Sequence, residues 1–379
     1  MKAILALIAM SLLLACGKQE EVIATVDKQA TTETKQLYNQ LQGLQQKGIM
    51  FAHQDDLAYG HNWYKEPERS DVKDVSGDYP AMIGWELGHI EIAAPFNLDS
   101  VYFSDMRKYI QEGDRRGSIN TLSWHGDNIV TGNTAWDCEQ NTVVRSILPG
   151  GENHKQYLTW LDRLSAFFSS LKNDEGKLIP VIFRMYHEHT GSWFWWGKKQ
   201  CTSEEYKQLW RMTVERLRDK NNVHNLLYAY SPSDAEVENE ADYLDRYPGD
   251  EYVDIIGFDC YASGKDSASI ENYNNRMALN LDIITKYAAK ANKIPCVAET
   301  GMESVADSTY FSEILYPLIS KHKISYVLLW RNAWEEDKPN HYYVPFKDHP
   351  ASEDFNKFVN KPDILMCKDI ANSKLTNEK

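Results

Sequence analysis

The chain has 379 residues, of which 42% are hydrophobic and 25% charged, and its formal net charge is −14. This composition can bury a core and excludes a disordered chain. The acidic balance excludes a nucleic-acid binder, which needs a basic face for phosphates. A mean hydropathy of −0.54 with one short apolar run excludes a polytopic membrane protein. Aromatic residues make up 12%, with 11 Trp and 22 Tyr. Such rings stiffen a core or stack on flat polar ligands such as sugars.

Lys2 followed by the apolar run from Ala3 to Ala15 has the makeup of an export signal and is too short to span a bilayer. It closes as Leu13-Leu14-Ala15-Cys16, the pattern of a bacterial lipoprotein box. Residues 1–16 are therefore expected to form a signal peptide ending at a lipidated Cys16. The polar, aperiodic stretch 17–33 reads as a flexible tether. The expected location is the cell envelope, in an outer membrane through the lipid, facing the periplasm or the surface. Apart from Cys16 the chain carries Cys138, Cys201, Cys260, Cys296 and Cys367. Cys260 and Cys296 fall in apolar runs and read as buried thiols. Cys138 and Cys201 lie in loops and are the pair best placed for a disulfide.

Beyond residue 33, short apolar runs alternate with longer amphipathic stretches. Strands are predicted at 48–52, 81–85, 119–124, 179–185, 226–230, 253–258, 294–298 and 324–330. Helices are predicted at about 34–47, 100–117, 155–171, 203–219, 240–247, 271–291, 308–321 and 351–359. Eight such pairs fit an α/β fold of the (β/α)8 TIM-barrel type, a single domain over 34–362 with a C-terminal tail at 363–379. A doubly wound open sheet is disfavoured, because no GxGxxG or Walker A turn follows a strand.

Barrel chemistry sits where strands end, and the predicted strand ends are polar and aromatic. The third ends Ser123-Trp124-His125 and the fourth Arg184-Met185-Tyr186-His187-Glu188-His189. The sixth ends Phe258-Asp259-Cys260-Tyr261, the seventh Ala298-Glu299-Thr300-Gly301, and the eighth Trp330-Arg331-Asn332. Glu188 and Glu299 thus face each other across the barrel mouth, the arrangement that cleavage of a glycosidic bond requires. One carboxyl must stay protonated to assist the leaving oxygen, and the other must stay ionised against the cation-like anomeric carbon. Aromatic neighbours would raise the Glu188 pKa by desolvation. Arg184 and Tyr261 are candidates to keep Glu299 charged.

The stretch 184–197 carries four consecutive aromatics, Trp193-Phe194-Trp195-Trp196. Not all four fit one core, so some are expected to form a sugar-stacking platform. A zinc-protease HExxH motif is absent, because position 191 is Gly.

The segment 184–197 resembles the acid/base signature of glycoside hydrolase family 26, whose main activity is endo-β-1,4-mannanase. Phe51 to Trp63, Trp124-His125, Ile147-Leu148-Pro149-Gly150-Gly151, Trp160-Leu161-Asp162-Arg163, Gly257-Phe258-Asp259 with Tyr261, and Ala298-Glu299-Thr300-Gly301 resemble the family in the same order. The resemblance implies a clan A (β/α)8 barrel and a retaining double displacement without cofactor or metal. It implies Glu188 as acid/base and Glu299 as nucleophile. His125, Arg184, His187, Trp193, Asp259, Tyr261, Trp330 and Arg331 are implied as substrate-binding residues, with Tyr261 bonding Glu299 and Trp330 flooring the cleaved sugar's subsite. The implied partner is β-mannan, galactomannan, glucomannan or manno-oligosaccharides, with mannobiose a conceivable product, and the protein is expected to act as a monomer. The same fold also serves β-1,3-xylan and mixed-linkage glucan. A tethered glycan-binding lipoprotein without activity is the remaining alternative, although it would need neither glutamate.

Overall fold

Eight parallel strands close into a cylinder in the computed structural model, which describes residues 25–377. They are β1 (Ile49–Gln54), β2 (Met82–Glu86), β3 (Ile119–Trp124), β4 (Val181–Met185), β5 (Leu226–Tyr230), β6 (Ile255–Ala262), β7 (Ile294–Met302) and β8 (Tyr326–Leu329). Each pairs with the next, and β8 returns to β1 through Met50↔Tyr326 and Phe51↔Val327. The fold is a (β/α)8 TIM barrel, as the alternating pattern predicts.

Successive strand residues point to opposite faces, so each strand feeds two cores. Met50, Ala52, Ile182, Leu227, Ile255, Ile294 and Cys296 pack together inside the barrel. Phe51, Phe183, Tyr228, Ile256 and Val297 pack outward under the surrounding helices. Both faces are buried, which is why the strands read as continuous apolar runs rather than alternating ones.

The helix Thr32–Leu44 starts where the Thr31 side chain accepts from the Thr34 backbone N–H. Leu37, Leu41 and Leu44 then recur on one face and, with Tyr38, pack against the barrel's inner residues. This helix plugs the end of the cylinder where the strands begin.

The termini correct two expected boundaries. The tether does not reach residue 33, because Thr25, Asp27 and Ala30 are buried. The Val26 N–H donates to Asp254 at 2.8 Å, and Asp27 pairs with His224 at 2.8 Å. Both partners lie just before a barrel strand. Likewise the C-terminal tail is structured over its described residues, 363–377. Ile364–Leu365 adds a short parallel strand beside β1, and a helix, Cys367–Asn377, follows. A pattern of two apolar residues is too short to announce a strand. The signal peptide, Cys16 and the first part of the tether lie outside the described residues.

The cysteine expectation also changes. Cys138 and Cys201 form no disulfide. Cys201 is buried, and its sulfur accepts from Arg246 at 3.3 Å. Cys260 and Cys296 are buried thiols, as their apolar surroundings predict.

Candidate active site

The turn after β4 delivers Glu188 by leaving ordinary strand geometry. Tyr186 and Glu188 both adopt left-handed backbone, at φ +47° and +53°. Non-glycine residues rarely do so, at a cost of about 1–3 kcal/mol each. The surroundings hold the turn in place. Tyr206 Oη donates to the Tyr186 carbonyl and Trp196 Nε1 to the His187 carbonyl, both at 2.8 Å. The Glu188 N–H donates to the Ser231 carbonyl at 2.9 Å. The four aromatics therefore divide their work: Phe194, Trp195 and Trp196 are buried under the turn, and Trp193 alone is exposed, at 39%.

Trp193 folds back over Gly191 so that Nε1 donates to Glu188 Oε2 at 2.6 Å. A Cβ on residue 191 would sit 2.2 Å from that ring, so the close approach requires glycine. Burial pushes the Glu188 carboxyl above its usual range, opposed by the Trp193 N–H and the charge of Arg184.

Glu299 is aimed by a different device. Between β6 and β7 the register runs Phe258↔Val297 and then Asp259↔Glu299, leaving Ala298 as one extra residue on β7. Against β8 the same shift separates Val327↔Val297 from Leu329↔Thr300. Ile294, Cys296 and Ala298 face the barrel interior, so strict alternation would turn Glu299 outward. The bulge resets the phase and sends Glu299 inward, beside Arg184 and Asp259.

There Arg184 Nη2 donates to Glu299 Oε1, and Tyr261 Oη donates to Glu299 Oε2 at 2.7 Å. Arg184 Nη1 donates to Asp259 Oδ2 at 2.9 Å and to Ser231 Oγ at 3.0 Å. Burial pushes the Asp259 carboxyl well above the usual range, against the pull of Arg184. One carboxylate oxygen from each of Glu188, Asp259 and Glu299 lies within 4.8 Å of the others. Positive charge within this cluster comes from the guanidinium.

A second chain of contacts reaches the turn from β2 and β3. His125 Nδ1 lies 2.7 Å from Glu86 Oε2, and His125 Nε2 lies 3.0 Å from His187 Nε2. Glu86 is buried, yet contacts from His125 and Ser123 hold its carboxyl down to about 2. Burial and the charge of Arg184 push His187 well below its ordinary range, so it is neutral. Glu86 was not among the predicted site residues; its only sequence signal is its place at the end of a strand.

Two hollows open beside residues that contact this cluster, His125 and Tyr261. A hollow of about 760 Å3 is lined by His125, Trp136, Trp330, Arg331, Asp99 and Glu303, among others. A smaller one of about 280 Å3 is lined by Tyr261, Tyr343 and Glu303. Trp136, also missed by the sequence reading, is 49% exposed and stacks on His125 at 5.0 Å and 10°.

The predicted binding residues thus separate into two groups. His125, Trp330, Arg331 and Tyr261 line a hollow, and Trp193 is exposed beside Glu188. Arg184, His187 and Asp259 are buried and line neither hollow. Asp259, inward-facing at the bulge, is ion-paired with Arg184 at 2.9 Å. Arg331 both lines the hollow and pairs with Asp99 at 3.2 Å and Glu335 at 3.1 Å.

The sequence model for glycosyl hydrolase family 26 matches residues 26–339, most of the chain. The chain belongs to glycosyl hydrolase family 26. A GH26 β-mannanase from Bacteroides ovatus has the same fold at TM-score 0.86 and 46% identity, covering 89% of this chain and 96% of that one. A family 26 structure from a Muricauda species gives TM-score 0.83 at 30% identity, over 91% of this chain and 94% of that one. A mannan endo-1,4-beta-mannosidase of Bifidobacterium adolescentis is 32% identical over 357 residues, 90% of this chain. This chain spans only 35% of that relative's length. A Bacillus subtilis mannan endo-1,4-beta-mannosidase is 27% identical over 73% of each chain.

Proposed function

We propose that this family 26 chain is a retaining endo-β-1,4-mannanase acting on β-mannan, galactomannan or glucomannan. The observation that carries the reading is the carboxylate pair. Glu188 and Glu299 approach within 4.8 Å, close to the roughly 5–5.5 Å of retaining enzymes and short of the roughly 6.5–9.5 Å that admits a water between carboxyls. Their surroundings also differ in the required sense. Burial favours a protonated Glu188, while Arg184 and Tyr261 grip Glu299 with charge and hydrogen bonds.

In this reading Glu299 attacks the anomeric carbon, and the glycosidic C–O bond breaks as Glu188 delivers its proton to the leaving oxygen. Water then attacks the glycosyl-enzyme, and Glu188 takes the water's proton back. Trp193 and Trp136 offer exposed rings to apolar sugar faces. The mannan preference is supported by the names of the mannanase relatives.

Timed product analysis tests it. Wild type and Glu299→Ala are incubated with mannan, galactomannan, glucomannan, xylan and mixed-linkage glucan. Mannan-derived oligosaccharides from wild type alone are expected, as a broad early ladder for endo cleavage. Mannobiose from the first time point would replace the endo mode with an end-acting one. Products only from xylan or glucan would overturn the substrate, and binding without products would leave a glycan-binding protein.

We further propose that the protein is an exported lipoprotein held through Cys16, supported by Lys2, the apolar run and Leu13-Leu14-Ala15-Cys16. Radiolabelled palmitate incorporated by wild type and lost in Cys16→Ser is the expected result. Equal labelling of both would refute it.

A further inference from the structure

The two hollows share a wall. Glu303, directly after β7, borders both, and its Oε1 faces His341 Nδ1 of the loop after β8 at 2.7 Å. The larger hollow is bounded chiefly by the ends of β2, β3 and β8 and the loops that follow them. Trp193, bonded to Glu188, comes from the turn after β4. A linear chain lying from the larger hollow across Glu299 and Glu188 towards Trp193 leaves the smaller hollow on its flank, because that hollow is built after β6, β7 and β8. Its volume, about 280 Å3, is near the lower bound of roughly 300 Å3 for small-molecule sites. Such a space suits one sugar ring rather than a run of them.

Its walls suit a neutral sugar. Tyr261 and Tyr343 meet there with ring centroids 5.6 Å apart and planes at 69°, a corner against which the C–H face of a pyranose can pack. Tyr343 reaches that place by lying on Gly301, where a Cβ would sit 2.4 Å from its ring. The Glu303 side chain is 56% exposed, and a carboxylate has more acceptor positions than the single His341 contact uses. Among the described residues no Lys, Arg or His lines the smaller hollow, so it favours hydroxyls over an anionic group. The turn that carries Glu303 is held under strain. Ser304 and Val305 take left-handed backbone, at φ +61° and +41°, which is costly above all for a β-branched residue. The Ser304 N–H donates to the Tyr342 carbonyl at 2.8 Å and its Oγ to the Asn340 carbonyl at 3.0 Å. These bonds pin the turn to the loop after β8.

The hollow also opens close to the reacting centre. Tyr261, which lines it, donates from Oη to Glu299 Oε2 at 2.7 Å. The sugar held against Glu299 is therefore the one whose substituents reach the hollow first. Main-chain bonds occupy O1 and O4 of that sugar, and its exocyclic O6 is where galactomannan carries galactose. We propose, resting on the mannanase reading above, that the smaller hollow receives a single α-1,6-linked galactose carried by the mannose that Glu299 attacks. Glu303 accepts from the galactose hydroxyls, and the corner of Tyr261 and Tyr343 packs on its ring. Cleavage then proceeds directly at a branched mannose and is not confined to bare stretches of the polymer.

The products record where the branch sat. The mannose attacked by Glu299 becomes a new reducing end, and hydrolysis in 18O-labelled water tags it. Wild type acting on galactomannan is expected to release oligosaccharides with galactose on the tagged mannose, read by tandem mass spectrometry. A tagged mannose that is always bare, alongside ready cleavage of unbranched mannan, overturns the inference and leaves the mannanase reading standing. No cleavage of either polymer refutes that reading and the inference with it. Ala306→Trp and Ser263→Trp fill the hollow from two different loops, at exposed positions. Each is expected to lower the release of products with galactosylated reducing ends at least roughly 10-fold, with kcat/KM on mannopentaose within about twofold of wild type. Galactosylated reducing ends that persist in a folded variant place the branch elsewhere and overturn the assignment. An equal loss on mannopentaose shows that the hollow holds the main chain, which overturns it as well. Thermal midpoints report whether each variant folds; should one fail, the other and the wild-type products decide.

Discussion

Replacing Trp193 by Phe isolates one hydrogen bond. The ring that can stack on a sugar is largely kept, and the N–H that reaches Glu188 Oε2 at 2.6 Å is removed. That bond favours the ionised carboxyl, so its loss raises the Glu188 pKa further above the usual value. A hydrogen bond to a charged group contributes about 1.5–3 kcal/mol. Trp193 is 39% exposed, and water entering the gap replaces about half of that. What remains, about 0.7–1.5 kcal/mol, corresponds to about half to one pH unit. In the proposed mechanism Glu188 must be protonated, so activity is lost as pH rises through its pKa. The alkaline limb of kcat/KM, which reports the free enzyme, is therefore expected to move upward by about half to one unit in Trp193→Phe. The assay is the pH profile on mannopentaose for both proteins. A limb that stays in place or moves down would refute the assignment of that limb to Glu188, whatever happens to KM.

Tyr261→Phe removes the 2.7 Å hydrogen bond to Glu299 and is expected to lower kcat roughly 10- to 100-fold on manno-oligosaccharides, while the circular dichroism spectrum is unchanged. Gly191→Ala places a Cβ 2.2 Å from the Trp193 ring, so the indole must swing away from Glu188. Its alkaline limb should shift as in Trp193→Phe, with a raised KM as well, and a wild-type profile would show that the close approach is dispensable. Leu41→Ala opens a cavity at a fully buried position of the plug helix and should cost about 2–5 kcal/mol in urea denaturation, with kcat per folded molecule unchanged.

The barrel was legible because both faces of each strand are buried and every crossover needs a helix. The runs 119–124 and 226–230 coincide with β3 and β5 to the residue. Glu188 stood out through the aromatic stretch beside it, and Glu299 through its place at a strand end. The bulge at Ala298 was not legible. Nothing in Val297-Ala298-Glu299 marks which residue is extra, because register is set by the partner strands. Glu86 was equally silent. A lone strand-end glutamate has no local signature, and its role depends on His125, 39 residues away. The boundaries at 33 and 363 failed for a related reason. Asp27 and Ile364 are held by long-range partners, His224 and β1, that local composition does not reveal.

The plug helix and the segment from Thr25 to Thr31 lie where the strands begin, whereas Glu188 and Glu299 lie where they end. Anything joined ahead of Thr25 therefore meets the stoppered base of the cylinder, a full strand length from the mouth. A bead, a vesicle or a fusion partner coupled on that side would immobilise the enzyme with its cleft turned outward. A bulky polymer could then slide across the opening without first displacing the support, and grafting by the N-terminal side should preserve turnover on long chains as well as on short ones.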